Sequence, residues 1–208
     1  MENEGLRERK KRTTRGWIAD VASGLFFEHG FENVTIADVA EAADVSKKTV
    51  TNYFPRKEDM FLDRQEDRLV ELETRIRSRA DGESVLAVMR SYQHELLETG
   101  HPLSGAIQAI EPFFRVVRQS LSLTARWREM GSEMQDRIAS VLAEEVADNA
   151  QARLIGAAIG SALDTIYMIA VDRMLRGDAL EDVRRDQVGV IDSAFAMLED
   201  GIGDYGKK

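Results

Sequence analysis

The sequence contains no cysteine, only three prolines and no long apolar run. A chain without cysteine forms neither disulfides nor thiolate metal sites, and a chain with so few prolines can build long helices. No apolar run approaches the about 20 residues that a membrane-spanning helix needs. The N-terminal stretch MENEGLRERKKRTTRG lacks the apolar segment of a secretory signal. We therefore expect a helical protein of the reducing cytoplasm that does not enter a membrane.

The charge is distributed unevenly along the chain. A net charge of −9 by itself disfavours binding to nucleic acid. Residues 1–57, however, carry ten Lys or Arg against nine Asp or Glu, whereas residues 58–208 carry eighteen against twenty-eight. The first cations form a basic arm with only Glu8 among them: Arg7, Arg9, Lys10, Lys11, Arg12 and Arg15. A basic arm on a nearly neutral head can dock on DNA although the rest of the chain is acidic.

Two short helices are predicted between residues 35 and 55. Thr35 is placed as the N-cap of the first, which ends near residue 42, and Asp38 completes a capping box. Ser46 caps the second, which Pro55 terminates because proline disfavours helix in the residue before it. Only three residues separate the two helices, so the pair forms a helix-turn-helix.

The other segments also show apolar residues at helical spacing, which predicts an all-α fold of about nine helices. The helix that precedes the helix-turn-helix ends at Gly30, which is placed to adopt a left-handed conformation. Further helices are predicted over residues 56–79, 84–98, 103–148 with a weak break near Ser120, 152–176 and 180–200.

Two lysines follow the cap of the second short helix, although a helix N-terminus already carries partial positive charge. The cost of Lys47 and Lys48 at this position is about a few tenths of a kcal/mol each. A DNA phosphate would remove the cost, because the lysines and the helix dipole would then attract the same anion. Lys57 repeats the arrangement at the start of the next helix. The alternative is that each lysine simply belongs to the solvated surface.

The outer face of this second short helix is polar and uncharged beyond the lysines, which suits the edge of a major groove. Val50 and Phe54, four residues apart, are expected to hold its inner face. The residues predicted to contact DNA are Arg12, Arg15, Thr35, Ser46, Lys47, Lys48, Thr49, Thr51, Asn52, Tyr53 and Lys57.

Residues 14–61, TRGWIADVASGLFFEHGFENVTIADVAEAADVSKKTVTNYFPRKEDMF, resemble the DNA-binding region of the tetracycline-repressor (TetR) family of bacterial transcription regulators. The chain departs from the family pattern at Asp44, where glycine is common, and at Thr51, where an aromatic residue is frequent. Asp tolerates a left-handed conformation better than most residues, so we expect a normal turn. The phosphate contact of a tyrosine hydroxyl at position 51 would pass to Asn52 or Tyr53.

The resemblance implies an organisation for the whole chain. It implies an all-helical homodimer with a three-helix DNA-binding domain over residues 1–55 and a ligand-binding and dimerisation domain over residues 56–208. The expected function is that of a repressor released from a palindromic double-stranded DNA operator by a small-molecule ligand. The ligand would act by moving the helix over residues 56–79. An activator of the same family and a non-specific architectural DNA-binding protein are the alternatives.

Two C-terminal helices are candidates for the dimer interface. The helix over 152–176 is rich in small residues, which allow close helix approach, and the helix over 180–200 has an apolar face. The predicted interface residues are Gly156, Gly160, Val188, Ile191 and Phe195. The alternative is that these helices pack inside one chain.

Large or adaptable side chains on the central helices are candidates for a ligand pocket: Met89, Tyr92, Phe113, Phe114, Trp127, Met130, Met134 and Tyr167. Methionine fits irregular shapes, which favours a lipophilic ligand. Plain core packing is the alternative for each of them.

No pattern in the sequence is typical of an enzyme, a metal site or a cofactor site. The three histidines, His29, His94 and His101, lack metal-ligand spacing, and no glycine-rich phosphate loop is present. We therefore expect no catalytic activity and no cofactor.

Overall fold

The computed structural model describes residues 5–145 and 148–201. The side chains of Arg7 and Glu8, both in the predicted basic arm, lie outside this description. Ten α-helices and two short 3-10 turns, Phe31–Asn33 and Pro102–Ser104, make up the regular structure of these residues, which include no strand. The all-α prediction is confirmed, with one helix more than the nine expected. The helices are α1 Leu6–His29, α2 Ile36–Ala42, α3 Lys47–Tyr53, α4 Glu58–Phe61, α5 Gln65–Arg77, α6 Val85–Glu98, α7 Ile110–Gln119, α8 Leu121–Ala143, α9 Asn149–Leu175 and α10 Leu180–Asp200.

The chain divides into two compact units. The first contains residues 1–65 and 116–127, and the second contains residues 66–115 and 128–208. These bounds differ from the predicted domain boundary between residues 55 and 56. That boundary separates a DNA-binding from a ligand-binding function, and it stays a prediction.

The additional helix arises because the predicted long helix over residues 56–79 is broken into α4 and α5, so this prediction was wrong. Leu62 leaves the helical region, with φ −101° and ψ 37°. No glycine or proline marks the break, and Phe61 and Leu62 are both buried, so the apolar periodicity continues through it. A tertiary contact lies at the break instead: the guanidinium of Arg15 donates to the carbonyl oxygen of Asp63 at 2.9 Å.

The core of the first unit is built on the apolar stripe of α1. Ile18, Ala22 and Phe26 are fully buried. The ring centroid of Phe26 lies 4.8 Å from that of Phe31 and 5.9 Å from that of Phe61. Gly30 ends α1 with φ +83°, the positive value that its position predicts.

In the second unit, α10 packs against α6 and α9. Two glycines allow α9 to approach α8 closely. A Cβ atom on Gly156 would lie 2.7 Å from the backbone nitrogen of Ala139, and one on Gly160 would lie 2.6 Å from the side chain of Gln135. The small-residue stretch of α9 therefore packs within the chain.

The helical segment predicted over residues 103–148 is interrupted more than expected. After the turn Pro102–Ser104 the chain runs without helix until α7 begins at Ile110. The predicted break at Ser120 is confirmed: its hydroxyl accepts from the Leu123 N–H at 3.3 Å, at the start of α8, and donates to the Glu32 carboxylate at 2.6 Å.

One helix among the described residues, α9, is long and apolar enough to cross a membrane by length and composition alone, with a mean hydropathy of 1.8 over its most apolar window. This apolar helix differs from the expectation that no apolar run approaches the length of a membrane span. Core helices meet the same criterion, and the burial of Ile159, Leu163 and Ile166 inside the second unit identifies α9 as a core helix.

Candidate nucleic-acid interface

The first short helix of the motif, α2, is fixed by a complete capping box. The Thr35 hydroxyl accepts from the Asp38 N–H at 3.3 Å, and the Asp38 carboxylate accepts from the Thr35 N–H at 2.8 Å. The hydrogen bond from the Thr35 N–H, together with one from the Thr35 hydroxyl at 2.8 Å, lowers the pKa of Asp38 because both stabilise its ionised carboxylate. The cap that the sequence predicts is confirmed, and it defines the first residue of α2.

The turn between α2 and α3 is held by the conformation of one residue. Asp44 has φ +55°, the left-handed conformation expected for it. The N–H of Val45 donates to the Ala40 carbonyl at 2.9 Å, and the indole of Trp17 donates to the Ala43 carbonyl at 3.2 Å. The turn is therefore normal, although Asp stands where glycine is common in the family.

Helix α3 is anchored by its inner face and by its cap. Val50 is 0% and Phe54 1% exposed, as expected for the inner positions. Ser46 accepts from the Thr49 N–H at 3.0 Å, and its hydroxyl lies 2.8 Å from the Thr49 hydroxyl. Because the backbone and the inner residues are fixed, the outer residues project from a rigid support.

The outer face of α3 is exposed and polar, as the sequence indicates. Lys47, Lys48, Thr51 and Asn52 are exposed, whereas Thr49 and Tyr53 are partly buried. The Thr51 hydroxyl donates to the Lys48 carbonyl at 3.2 Å, so it is partly engaged within the helix. Lys47 adds an electrostatic contribution that lowers the pKa of Asp38. Positive charge thus accumulates where α3 begins.

Lys57 occupies a different environment from the one predicted. Its ammonium donates to the carbonyl oxygens of Phe31 at 2.7 Å and Val34 at 3.1 Å. It also lies 4.1 Å from the ring centroid of Phe31. These contacts hold the segment between α1 and α2 against the start of α4, a structural role that the sequence analysis did not consider.

The basic arm is the first half of helix α1. Arg12 is exposed, but Arg15 is partly buried, because its guanidinium stacks 4.7 Å from the centroid of the Phe54 ring and donates to Asp63. Arg15 therefore connects α1 to the end of α3 and to the break after α4.

Four of the five residues predicted at the dimer interface are buried within the chain. Gly156 and Gly160 are packed against α8 of the same chain, and Ile191 and Phe195 are 1% and 0% exposed. Of the five, only Val188 has an exposed side chain, at 43%. The apolar stripe of α10 is inward because it packs on α6 and α9.

The predicted pocket residues do not all share one unit. Trp127 belongs to the first unit, whereas the other seven belong to the second. Six of those seven are buried: Met89, Tyr92, Phe114, Met130, Met134 and Tyr167. Phe113 and Phe114 pack edge to face, and Phe114 lies 5.9 Å from Tyr167.

Two charged residues of the second unit were missed by the sequence analysis. Arg68 on α5 and Asp164 on α9 lie within electrostatic range of each other and of Tyr167. The signal for Arg68 was present, because it lies four residues before the buried Leu72 and eight before the buried Ile76. It was hidden by the many charges of the segment RQEDRLVELETR.

Comparison with known proteins agrees with this geometry. Residues 18–63 match the model of bacterial regulatory proteins of the tetR family. The chain is also 30% identical over 148 residues to the HTH-type transcriptional regulator TcmR of Streptomyces glaucescens. Residues 18–63 therefore form a DNA-binding region of the tetR family. The TcmR alignment covers 67% of this chain but 63% of TcmR, so the chain spans less than two thirds of this relative.

Solved structures of TetR-family regulators share the fold. NalD of Pseudomonas aeruginosa, a repressor of a multidrug efflux pump, is 17% identical, with a TM-score of 0.56 over 89% of this chain and 96% of its own. FadR of Thermus thermophilus, a repressor solved with lauroyl-CoA, is 24% identical, with a TM-score of 0.55 over 90% of this chain and 94% of its own. At these identities the likeness concerns the fold alone.

Proposed function

We propose that the protein is a sequence-specific DNA-binding regulator of transcription that acts as a homodimeric repressor and responds to a small molecule. The observation that carries the proposal is the geometry of α3. A capped helix with a buried inner face presents Lys47, Lys48 and Asn52 to solvent beside a left-handed turn. Neither stability nor core packing accounts for two exposed lysines at a helix N-terminus.

In the proposed complex, α3 lies in a major groove. Lys47 and Lys48 bind phosphate or guanine, and Thr51 and Asn52 contact bases or backbone at the exposed edge. Ser46, Thr49 and Tyr53 flank that edge, while Thr35 and Arg12 bind the adjoining strand. Arg15 and Lys57 act differently in this proposal: their contacts within the chain position α3 and α4 rather than bind phosphate.

Dimerisation is assigned to the exposed apolar residues of α9 and α10. Leu154 is 72%, Ile169 37%, Val188 43% and Met197 47% exposed. On α9, Leu154 and Ile169 flank three small exposed residues at helical spacing, which allow close approach of a second helix: Ala158, Ser161 and Thr165. Two-fold symmetry of the dimer would match a palindromic operator.

Repression and ligand response are proposed from the family. NalD and FadR are both described as repressors, and FadR was solved with lauroyl-CoA. By the same reasoning the chain acts in the cytoplasm, where the operator is. The ligand must bind more tightly to the conformation that releases DNA, because a ligand with equal affinity for both shifts nothing.

The test is selection of bound fragments from random DNA by the ligand-free protein. We expect one palindromic sequence to be enriched and to bind at least about 10³-fold more tightly than unrelated DNA at the same salt concentration. Asn52→Ala should change the base preference at one position of each half-site. Equal affinity for all duplexes would favour the architectural alternative and overturn the regulator.

A further inference from the structure

Arg68 differs from the other arginines of α5. Arg75 pairs with Glu71 at 2.6 Å and with Glu95 at 2.8 Å, and Arg77 pairs with Glu73 at 3.0 Å. Within the part of the chain that the structure describes, the guanidinium of Arg68 makes neither a hydrogen bond nor an ion pair. Its one direct contact with a charged or aromatic group is with Tyr167, whose ring centroid lies 5.9 Å from Cζ.

The position of Arg68 is unfavourable in the ligand-free protein. Burial lowers the pKa of its guanidinium, although an arginine stays charged at any physiological pH. A desolvated charge without a hydrogen-bonding partner is costly and is rarely kept without a use. The second unit therefore carries a partly buried cation that has neither a hydrogen bond nor an ion pair among the described residues.

The nitrogen atoms of this guanidinium are not fully buried. Among the described residues, the one fully buried side-chain nitrogen or oxygen without a hydrogen bond is Oε1 of Gln187. Since Arg68 also lacks hydrogen bonds, each of its nitrogens must keep some accessible surface. An acceptor group at this surface can take hydrogen bonds from the guanidinium N–H donors.

The nearest opposite charge does not neutralise Arg68. Asp164 lies on α9 within electrostatic range of the guanidinium but outside the 4.0 Å of an ion pair. Burial raises the pKa of the Asp164 carboxyl, because its charged form is poorly solvated. The two groups therefore interact electrostatically without forming an ion pair.

Aromatic side chains surround this pair. Tyr92 and Tyr167 are 3% and 5% exposed, and both lie within electrostatic range of Arg68. Phe114 packs against Tyr167 at 5.9 Å. Gly105, with φ +73°, packs closely against α9, because a Cβ atom there would lie 2.8 Å from the Tyr167 carbonyl oxygen. The surroundings suit an apolar or aromatic body attached to one anionic group.

We propose that Arg68 binds the carboxylate of an organic acid, whose apolar body lies against Tyr92, Tyr167 and Phe114, and that Asp164 hydrogen-bonds a second polar group of that ligand. The proposal rests on the proposed function, since it names the chemical class of the effector. A planar guanidinium with free donors matches a carboxylate in two parallel hydrogen bonds. A ligand without an anionic group leaves the Arg68 guanidinium without this ion pair and should therefore bind more weakly.

The test compares carboxylates with their neutral amides on the full-length protein. Two matched pairs serve as probes: 2-naphthoate with 2-naphthamide, and dodecanoate with dodecanamide. Calorimetry and thermal unfolding measure binding to the wild type, to Arg68→Met, to Arg68→Lys and to Arg128→Met, which removes an exposed arginine of α8. We expect at least one carboxylate to bind the wild type and Arg128→Met about tenfold or more tightly than its amide.

Arg68→Met should abolish this preference, and Arg68→Lys should retain part of it, because lysine keeps the charge but loses the fork. The ligand-free Arg68→Met protein should also unfold at a higher temperature than the wild type, since it no longer holds a partly buried charge without an ion-pair partner. The proposal is wrong if the wild type prefers neither carboxylate, or if Arg68→Met keeps the wild-type preference. The operator selection uses ligand-free protein, so its outcome is independent of this one.

Discussion

The ammonium of Lys57 donates to the carbonyl oxygen of Phe31 at 2.7 Å and lies 4.1 Å from the centroid of the same residue's ring. A third contact reaches the Val34 carbonyl at 3.1 Å. One side chain thus satisfies two carbonyl groups of the loop that connects α1 to α2, and the loop in turn orients the helix-turn-helix. Lys57, which the sequence predicts to bind a DNA phosphate, binds backbone carbonyl groups of its own chain in the structure.

Replacing Lys57 separates the two roles. Lys57→Met should lower the free energy of unfolding by about 1–3 kcal/mol, because two carbonyl groups lose a charged donor. It should leave the salt dependence of DNA binding unchanged. Denaturant unfolding and affinity measured at several salt concentrations check both expectations.

Lys48→Met is the matched control, since Lys48 is exposed on α3. We expect little change in its stability but a salt slope smaller by about one per subunit, because one phosphate contact is lost. If instead Lys57→Met reduces the slope and Lys48→Met does not, the assignment of the two lysines must be exchanged.

The exposed face of α9 and α10 predicts how the dimer can be broken. Leu154→Glu should convert the dimer to a monomer, since it places a charge in an apolar contact surface. Leu121→Glu is the control, because Leu121 is a leucine of another helix that is 90% exposed. Sedimentation measures the mass of each variant. A dimeric Leu154→Glu protein would exclude this face as the interface.

Replacing glycine by alanine should have opposite effects on stability at two helical positions, Gly156 and Gly131. Gly156→Ala should destabilise the protein, because the new Cβ would lie 2.7 Å from the backbone of α8. Gly131→Ala has no atom within 4 Å of its Cβ and should raise the free energy of unfolding by about 0.5–1 kcal/mol through helix propensity. Thermal unfolding of the two variants gives the sign. Stabilisation by Gly156→Ala would show that α8 and α9 are not in close contact.

Two carboxyl groups predict opposite dependences of stability on pH. The hydrogen bond from His94 at 2.9 Å and the contact with Arg90 lower the pKa of Asp192 below its ordinary value of 3.8. Its contribution is therefore present above about pH 4 and is lost as the pH falls through the depressed pKa. Asp192→Asn should be less stable than the wild type at pH 7, with the difference vanishing in acid.

Asp164 has the opposite sign, because burial raises its pKa above 3.8. Its protonated form is favoured in the folded state, so the stability that it supports is present below the unfolded pKa and is lost as the pH rises through the folded pKa. Asp164→Asn should therefore be more stable than the wild type at pH 7, and the difference should shrink towards pH 3. The same direction for both variants would contradict the two assignments.

Local features of the helix-turn-helix could be predicted from the sequence because neighbouring residues decide them. The caps Thr35 and Ser46 bond to backbone groups three residues away, and Gly30 and Asp44 adopt the positive φ that their positions require. The inward faces of α1 and α3 follow from helical spacing. The DNA contacts of the outer face stay predictions, because they depend on a partner.

Arg15 illustrates a role that local spacing does not determine. The sequence placed it in a basic arm, but in the structure it stacks on Phe54 and donates to Asp63, 48 residues along the chain. The same is true of the break between α4 and α5, which no glycine or proline marks. Each depends on which distant segment lies alongside.

The sequence by itself determined most of the helices, the caps of α2 and α3 and the polar face of α3, since hydrogen bonds and apolar spacing within one helix need no distant contact. Only the tertiary structure decided which apolar residues of α9 and α10 are exposed to solvent. Ile191 and Phe195 are buried because α6 and α9 cover them, whereas Leu154 and Val188 remain exposed. It likewise decided that Arg68 has neither a hydrogen bond nor an ion pair among the described residues, because the charge of a residue does not reveal which groups the fold places beside it.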